Sequence, residues 1–358
     1  MSITIEVPKG EDALTEFVLF QNTVYEYRAA RWPANLPIYL PVLTGESPYA
    51  EDRDIHPFVA REDGKIVARA AAVVDHRYIR HWNEKLGHIV FFEALPETQE
   101  AVRLLMDAAC DWLAGQGMPA ARTGFGVLDF PFTTDAYEKL PPSLLRQNPA
   151  WYHVLLKHAG FETEQGWVDY KLKVRPALID RWESALTGAR RAGFEIVSLK
   201  DVPEDRRLRD YTDTWNDVFK AHWGFQPVTE GEVALLFQLL APFGLLETSV
   251  LAYENARPVG YLFVYPDMTP IVMLKEGRAL AEDEKMNVLG IGVRESARGR
   301  GVNYAMAGYA YLELARRGLT YLSYTLVLDD NWPSRRTGEG LGGQVCANYL
   351  TYRRDFLR

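Results

Sequence analysis

The chain has 358 residues, of which 47% are hydrophobic and 25% are charged, a composition typical of a folded protein in water. This length exceeds the size at which one hydrophobic core usually stops growing, so we expect two domains. The formal net charge of -8 disfavours a general nucleic-acid binder, because such proteins present basic surfaces to phosphates.

The cysteines and the first residues bear on metal content and location. Cys110 and Cys346 are too few for a four-cysteine zinc site, and we expect no metal. Residues 1–12 alternate as a strand does and carry early acids, unlike a secretory signal. The apolar run at 70–74 is far too short to cross a bilayer. We expect a cytoplasmic monomer or homodimer with no membrane or nucleic-acid partner.

The first half predicts a hairpin followed by a strand and a long helix. The hairpin turn is Asp63-Gly64, between two β-rich runs. Residues 90–117 predict a strand, a loop and a helix that ends at Gly117 as its C-cap. A polar turn and a short helix follow at 148–161.

The second half predicts the same series of elements. Residues 174–193 predict a connecting helix, and a second hairpin turn lies at Asn255-Ala256. Shifting residues 90–117 by about 201 positions places them without a gap on residues 291–318. Both segments predict a strand, a loop, a long helix and a terminal glycine.

This recurrence indicates an internal duplication, although chance likeness between two amphipathic helices remains an alternative. Each half predicts an α/β fold of the α+β type, built on a mixed sheet. We place an N-terminal domain at 1–177 and a C-terminal domain at 178–358. No Gly/Ser-rich linker separates them, so we expect the two halves to pack closely.

The loop at 294–301 has the composition of a diphosphate site. Backbone N–H groups at a helix N-terminus attract anions, and Gly299 and Gly301 let a ligand approach that backbone. Arg298 and Arg300 add positive charge. The alternative is a solvated basic loop that binds nothing.

The strand before this loop carries glycines at unusual positions. Gly290 and Gly292 weaken it and favour a bulge, where separated strand edges expose backbone groups to a ligand. The predicted strand ends at Val293, and the next helix begins at about Val302.

The segment Arg298-Gly299-Arg300-Gly301-Val302-Asn303 resembles the acyl-CoA signature Gln/Arg-x-x-Gly-x-Gly/Ala of the GNAT superfamily of N-acetyltransferases. It departs at the last position, where Asn303 replaces a small residue and either crowds the diphosphate or adds a hydrogen bond. The whole chain resembles tandem-GNAT proteins, which implies acetyl-CoA or another acyl-CoA as co-substrate. The residues implied to contact it are Gly292, Val293, Arg298, Gly299, Arg300, Gly301, Val302, Asn303 and Asn331, the last along the pantetheine arm.

The first half departs from the signature. The gapless shift sets Glu97 and Glu100 on Arg298 and Gly301. Like charges about 4 Å apart at an effective dielectric of about 20 repel by roughly 4 kcal/mol, so we expect no acyl-CoA binding there.

The resemblance leaves the proton-transfer groups open. Acyl transfer to an amine needs a group to take a proton and one to donate a proton. The place where many GNAT enzymes have a tyrosine acid holds Gly338, and the place where some have a base is near Asn287. Glu284 lies just upstream and is a candidate acting through water, or it is an exposed loop acid.

The segment 211–232 occupies the region that covers the acceptor in GNAT folds. His222 is a second candidate base, or an ordinary helix-end residue. Trp223 and Phe225 are the expected substrate-binding aromatics.

We therefore expect an acyl-CoA-dependent N-acetyltransferase that acts on a small amine-bearing acceptor, with the chemistry in the C-terminal half. A CoA- or metabolite-sensing protein without turnover is one alternative, favoured by Gly338 in place of a tyrosine. A Fem-type aminoacyl transferase, also built from two GNAT-like halves, is another.

Overall fold

A computed structural model describes residues 2–141, 146–265, 268–281, 284 and 287–356, without the side chains of 269 and 287–289. The chain forms two compact units. Unit 1 comprises residues 1–167, 271–278 and 347–358, and unit 2 comprises residues 168–270 and 279–346. The division near residue 167 differs from the predicted boundary at 177–178, and the C-terminal residues belong to unit 1. None of the described helices is both long and apolar enough to span a membrane.

Unit 1 is a mixed sheet with helices packed on it. Its helices are α1 (Glu11–Val24), α2 (Leu36–Thr44), α3 (His76–Trp82), α4 (Gln99–Gly115) and α5 (Trp151–His158). Its strands are β1 (Ile3–Glu6), β2 (Ala30–Arg31), β3 (Arg53–Glu62), β4 (Lys65–Asp75), β5 (Gly87–Ala94), β6 (Ala120–Thr123), β7 (Phe132–Thr133), the first part of β8 (Glu162–Lys173), β12 (Met273–Leu274) and the last part of β15 (Gln344–Asp355).

The main sheet of unit 1 has the order β1-β3-β4-β5-β6-β15. Neighbouring strands are antiparallel except β5 and β6, which are parallel and are joined through α4. The apolar residues that recur at helical spacing along α4 are all buried in the core of this unit: Val102, Leu105, Met106, Ala109 and Leu113.

Unit 2 repeats this arrangement. Its helices are α6 (Ile179–Arg191), α7 (Glu204–Phe219), α8 (Glu230–Leu240), α9 (Leu245–Thr248), α10 (Val302–Arg316) and α11 (Trp332–Gly340). Its strands are β9 (Phe194–Ser198), β10 (Val250–Glu254), β11 (Arg257–Tyr265), β13 (Asn287–Val293) and β14 (Tyr321–Leu328), with the remainder of β8 and β15.

The sheet of unit 2 has the order β8-β14-β13-β11-β10-β9. The pairs β9–β10, β10–β11 and β11–β13 are antiparallel, and β13 and β14 form a parallel pair joined through α10. Each unit thus has an antiparallel hairpin followed by a parallel pair with one long connecting helix. The predicted mixed-sheet α/β fold and its tandem duplication are confirmed.

The two predicted hairpin turns have the same backbone geometry. Asp63 and Gly64 have φ angles of 49° and 82°, and Asn255 and Ala256 have φ angles of 50° and 61°. Two successive positive φ angles define the turn that matches the twist of antiparallel strands, which is why short polar residues and glycine are favoured there.

Candidate functional site

A cleft of about 730 Å³ lies in unit 2, where β13 ends and α10 begins. This volume falls in the range of small-molecule and cofactor sites. Its walls come from the end of α7, from β13 and the loop after it, and from β14 and α11. The lining residues are Val218, Phe219, His222, Ile291, Gly292, Val293, Ala297, Arg298, Gly299, Gly301, Asn303, Tyr304, Tyr324, Asn331, Pro333, Ser334 and Thr337.

The cleft opens because β13 and β14 separate. The described pair between them is Val288 with Tyr324, and the following β13 residues line the cleft instead. On β13, Gly290 pairs with Phe263 and Val288 with Val264, so Leu289 is an extra residue in a bulge, as predicted.

Distortion of β14 contributes to the separation. Leu326 has a φ of 54°, which is rare for a bulky residue, and its N–H donates to the buried Asp169 carboxylate at 2.7 Å. That hydrogen bond stabilises the left-handed backbone conformation of Leu326 within β14.

Gly292 lets α7 approach the end of β13. A Cβ on Gly292 would lie 2.2 Å from the Cγ1 of Val218, a distance no side chain tolerates. The absence of a side chain therefore brings the end of α7, with Phe219 and His222, to the same cleft as the strand.

The loop before α10 presents backbone to the cleft. Gly299 and Gly301 have φ angles of 73° and 81°, a conformation that favours glycine, and a Cβ at either position would meet nothing within 4 Å. The first helical carbonyl acceptor is that of Gly301, which receives the N–H of Ala305. The N–H groups of the first turn therefore have no helical partner, and the positive end of the helix dipole faces the same opening.

The two loop arginines point to different places. Arg298 is exposed, lines the cleft and donates from Nε to the carbonyl of Val293 at 3.1 Å. Arg300 is directed away: it pairs with Glu254 at 2.7 Å and lies over the Phe194 ring. Sequence spacing assigns both arginines to the ligand, and the structure brings only Arg298 to it.

At Val302 the backbone N–H, without a helical partner in the first turn of α10, is the group available for the predicted contact. Its side chain is 1% exposed and belongs to the core of unit 2, where it anchors α10, so it does not line the cleft. Asn303, on the next position of the helix, does line it. Asn331 also lines it, and its Oδ1 accepts the N–H of Ser334 as the N-cap of α11.

Of the three residues predicted on the acceptor side, one lines the cleft and two do not. His222 lines the cleft, in the turn after α7, with its ring edge against Phe219 at a centroid distance of 5.5 Å. Trp223 and Phe225 are not among the lining residues, and Phe225 is buried at 7% exposure. The aromatic side chain that α7 contributes is Phe219, one turn earlier.

Glu284 is placed apart from the cleft. Its carboxylate accepts the N–H of Ala281 at 2.6 Å in a local turn, and it is not among the residues lining the cleft. Glu284 is half-buried rather than exposed, and its role as a base stays a prediction.

Tyr324 is a site residue that sequence reasoning did not assign. It lines the cleft from β14 and is hydrogen-bonded to the side chain of Ser334. Burial raises its pKa above the ordinary value of 10.0. Its only sequence signal was a position in the strand after the long helix, which does not distinguish it from the neighbouring Tyr321.

Burial has the opposite effect on His222. It lowers the pKa of the imidazole below 6.5, against smaller raising effects from a backbone hydrogen bond and from Asp330. Burial therefore favours the neutral imidazole of His222 and the protonated phenol of Tyr324.

The corresponding region of unit 1 is built differently. Residues 95–98 connect β5 to α4, whereas residues 294–301 connect β13 to α10, so the loop is half as long. The gapless equivalence of Glu97 and Glu100 with Arg298 and Gly301 is therefore wrong. Glu100 lies in the first turn of α4 and pairs with Arg103 at 2.6 Å.

Aromatic side chains occupy the end of β5. Trp151 Nε1 donates to the carbonyl of Ala94 at 3.0 Å, and the N–H of Ala94 donates to the Tyr152 hydroxyl at 2.9 Å. That hydroxyl in turn donates to Glu93, which also accepts from Tyr25. Both backbone groups of Ala94, at the end of β5, are thus already hydrogen-bonded within unit 1.

The cleft of unit 2 fits the diphosphate and pantetheine of an acyl-CoA. Open space in front of Gly299 and Gly301, the free first-turn N–H groups and the exposed Arg298 suit the diphosphate. Among the described residues no group of His, Cys, Asp or Glu side chains is arranged to hold a metal ion.

The architecture of the two units is that of the GNAT N-acetyltransferase fold, present in two copies. A tandem GNAT protein from the clavulanic acid biosynthesis pathway matches 99% of this chain and 98% of its own with a TM-score of 0.59 at 12% identity. A GCN5-related glucosamine N-acetyltransferase region of a fungal β-N-acetylglucosaminidase matches with a TM-score of 0.58 at 17% identity, covering 98% of this chain and 38% of that one.

The relatives found by sequence are also distant. The bacterial ceramide synthase of Caulobacter vibrioides is 21% identical over 336 residues, which cover 86% of this chain and 84% of that protein. No protein-family model matches the sequence. These likenesses establish the fold. They do not identify the reaction.

Proposed function

We propose that this chain is an acyl-CoA-dependent N-acyltransferase that acylates a small amine-bearing acceptor in the cleft of unit 2. The observation that carries the proposal is the meeting of two features in one cleft. The glycine loop at the start of α10 forms an anion site, and Tyr324 and His222 line the same cavity. The GNAT fold supports it, as does a relative named for making ceramide, which is an amide.

Five residues hold the co-substrate in this proposal. Arg298 and the backbone at Gly299 and Gly301 bind the diphosphate, with Asn303 beside them, and Asn331 lies along the pantetheine. The acyl-CoA supplies an acyl group activated as a thioester, which an amine converts to an amide with release of the thiol.

His222 and Tyr324 perform the two proton transfers. The neutral imidazole accepts the proton that the amine loses, directly or through water, and the phenol gives a proton to the departing sulfur. Burial keeps each group in the form its role requires, because it disfavours both imidazolium and phenolate. No covalent intermediate on the protein is needed.

The test is thiol release from acetyl-CoA and butyryl-CoA against a library of small and long-chain amines, combined with calorimetric binding of both thioesters. Amine-dependent thiol release supports the proposal. Binding without release for any amine would instead favour a CoA-sensing role, and the absence of binding would exclude both functions.

A further inference from the structure

A second, apolar cavity lies beside the cleft in unit 2, at the face of the sheet covered by α10 and α11. It has a volume of about 20 Å³ and shares three of its lining residues, Ile291, Tyr324 and Thr337, with the cleft. The remaining lining residues are all leucine or alanine: Leu172, Leu262, Ala307, Ala310, Leu322 and Leu341.

The cavity offers little to a water molecule. The Thr337 hydroxyl already donates to the carbonyl of Pro333 at 3.0 Å, and the Tyr324 hydroxyl is bonded to Ser334. A cavity of this size admits a water-sized body, but a water needs two to four polar partners to stay. The chemistry that fits is a hydrocarbon.

Two small residues on one face of α10 make the space. Ala307 and Ala310 are three positions apart, so both face the sheet, and they are 8% and 0% exposed. Leu262 and Leu322, from β11 and β14, are buried opposite them. Any larger side chain at 310 would fill the cavity.

We infer that this cavity receives the end of the acyl chain, so the acyl donor is longer than acetyl. The inference rests on the proposed function, since it places the thioester in the cleft beside Tyr324 and Ile291. A chain extending from that point across the three shared residues enters the apolar cavity. The substrate class is an acyl-CoA about one carbon longer than acetyl, because a cavity of about 20 Å³ holds roughly one methyl group. Burying that carbon raises kcat/KM about fourfold.

The experiment compares kcat/KM for acetyl-, propionyl- and butyryl-CoA with one amine in the full chain and in three variants. We expect wild type to prefer propionyl-CoA over acetyl-CoA by about fourfold, since one more carbon is buried. Ala310→Val should remove that preference and leave acetyl-CoA use within about threefold. Leu341→Ala, which removes a leucine that lines the cavity, should shift the optimum to butyryl-CoA. Ala315→Val is the matched control on the same helix, outside the cavity, and should keep the wild-type profile.

The outcomes separate this inference from the proposed function. Turnover that is fastest with acetyl-CoA, or a chain-length profile that neither Ala310→Val nor Leu341→Ala changes, would overturn the inference and leave the acyltransferase proposal standing. If the Ala310→Val protein does not fold, the chain-length profile of Leu341→Ala alone tests the inference. If none of the three thioesters binds in calorimetry, both this inference and the proposed function are wrong.

Discussion

Gly338 packs directly against Tyr324: a Cβ on Gly338 would lie 3.3 Å from the Tyr324 Cδ1 and 3.1 Å from the Tyr170 Cγ. The position where the resemblance implies a tyrosine acid therefore faces two rings that leave no room for a third. The phenol that reaches the cleft comes instead from β14, which moves the proposed acid from a helix to a strand.

Tyr324→Phe should lower kcat by about a hundredfold, the usual scale for losing a general acid. The acid is active when protonated, so wild-type activity should persist below its raised pKa and fall only as the pH rises through a value above 10.0. A pH profile of both proteins checks this, with Tyr321→Phe in the same strand as the control. An unchanged kcat in Tyr324→Phe would contradict the assignment.

His222→Gln should lower kcat by about a hundredfold and remove the acidic limb of the profile. The base is active when neutral, and burial lowers its pKa, so wild-type activity should be lost as the pH falls through a value below 6.5. The control is His158→Gln, at an exposed position of unit 1. An acidic limb that survives in His222→Gln would assign it to another group.

Phe219→Ala should raise the acceptor KM by about tenfold, because aromatic residues in a pocket carry much of its binding energy. Trp223→Ala should change it less, since Trp223 is not among the residues that line the cleft. Steady-state kinetics with varied amine distinguish the two. A larger effect from Trp223→Ala would restore the acceptor site predicted from the sequence.

Arg298→Ala should weaken acetyl-CoA binding by about tenfold at low salt, through loss of a charge-assisted contact. Arg300→Ala should leave the Kd within about twofold, because Arg300 is engaged with Glu254 and Phe194. Calorimetry at two salt concentrations measures both, and the Arg298 effect should shrink as salt rises. Equal effects of the two variants would show that the loop has been misassigned.

The elements and their repetition followed from the sequence because helical and strand periodicity, paired turn residues and terminal glycines are local signals. The alignment of the two halves did not follow from the sequence. A gapless shift takes no account of the difference in length between the loop at 95–98 and the loop at 294–301. The shift set Glu97 against Arg298, whereas the two loops share no such correspondence.

The geometry of the loop at 294–301 was predictable to the extent that it depends on glycine. Gly299 and Gly301 could be assigned from residue type, but the directions of Arg298 and Arg300 depend on Glu254 and Phe194, which are distant in sequence. Tertiary packing also decided the acceptor side, where α7 ends at Phe219 and brings that residue, rather than Trp223, to the cleft.

The central claim is that unit 2 alone holds an acyl-CoA, at the loop before α10. Calorimetric titration of the full chain with acetyl-CoA tests it, in wild type, in Gly301→Glu and in Gly318→Glu. Both glycines have positive φ angles, 81° and 73°, at opposite ends of α10, so the variants carry similar backbone strain and the same added charge. We predict one mole bound per mole of chain, a loss of at least about a hundredfold in affinity for Gly301→Glu from charge repulsion, and little change for Gly318→Glu. Two moles bound per chain, or full affinity in a folded Gly301→Glu protein, would contradict the account.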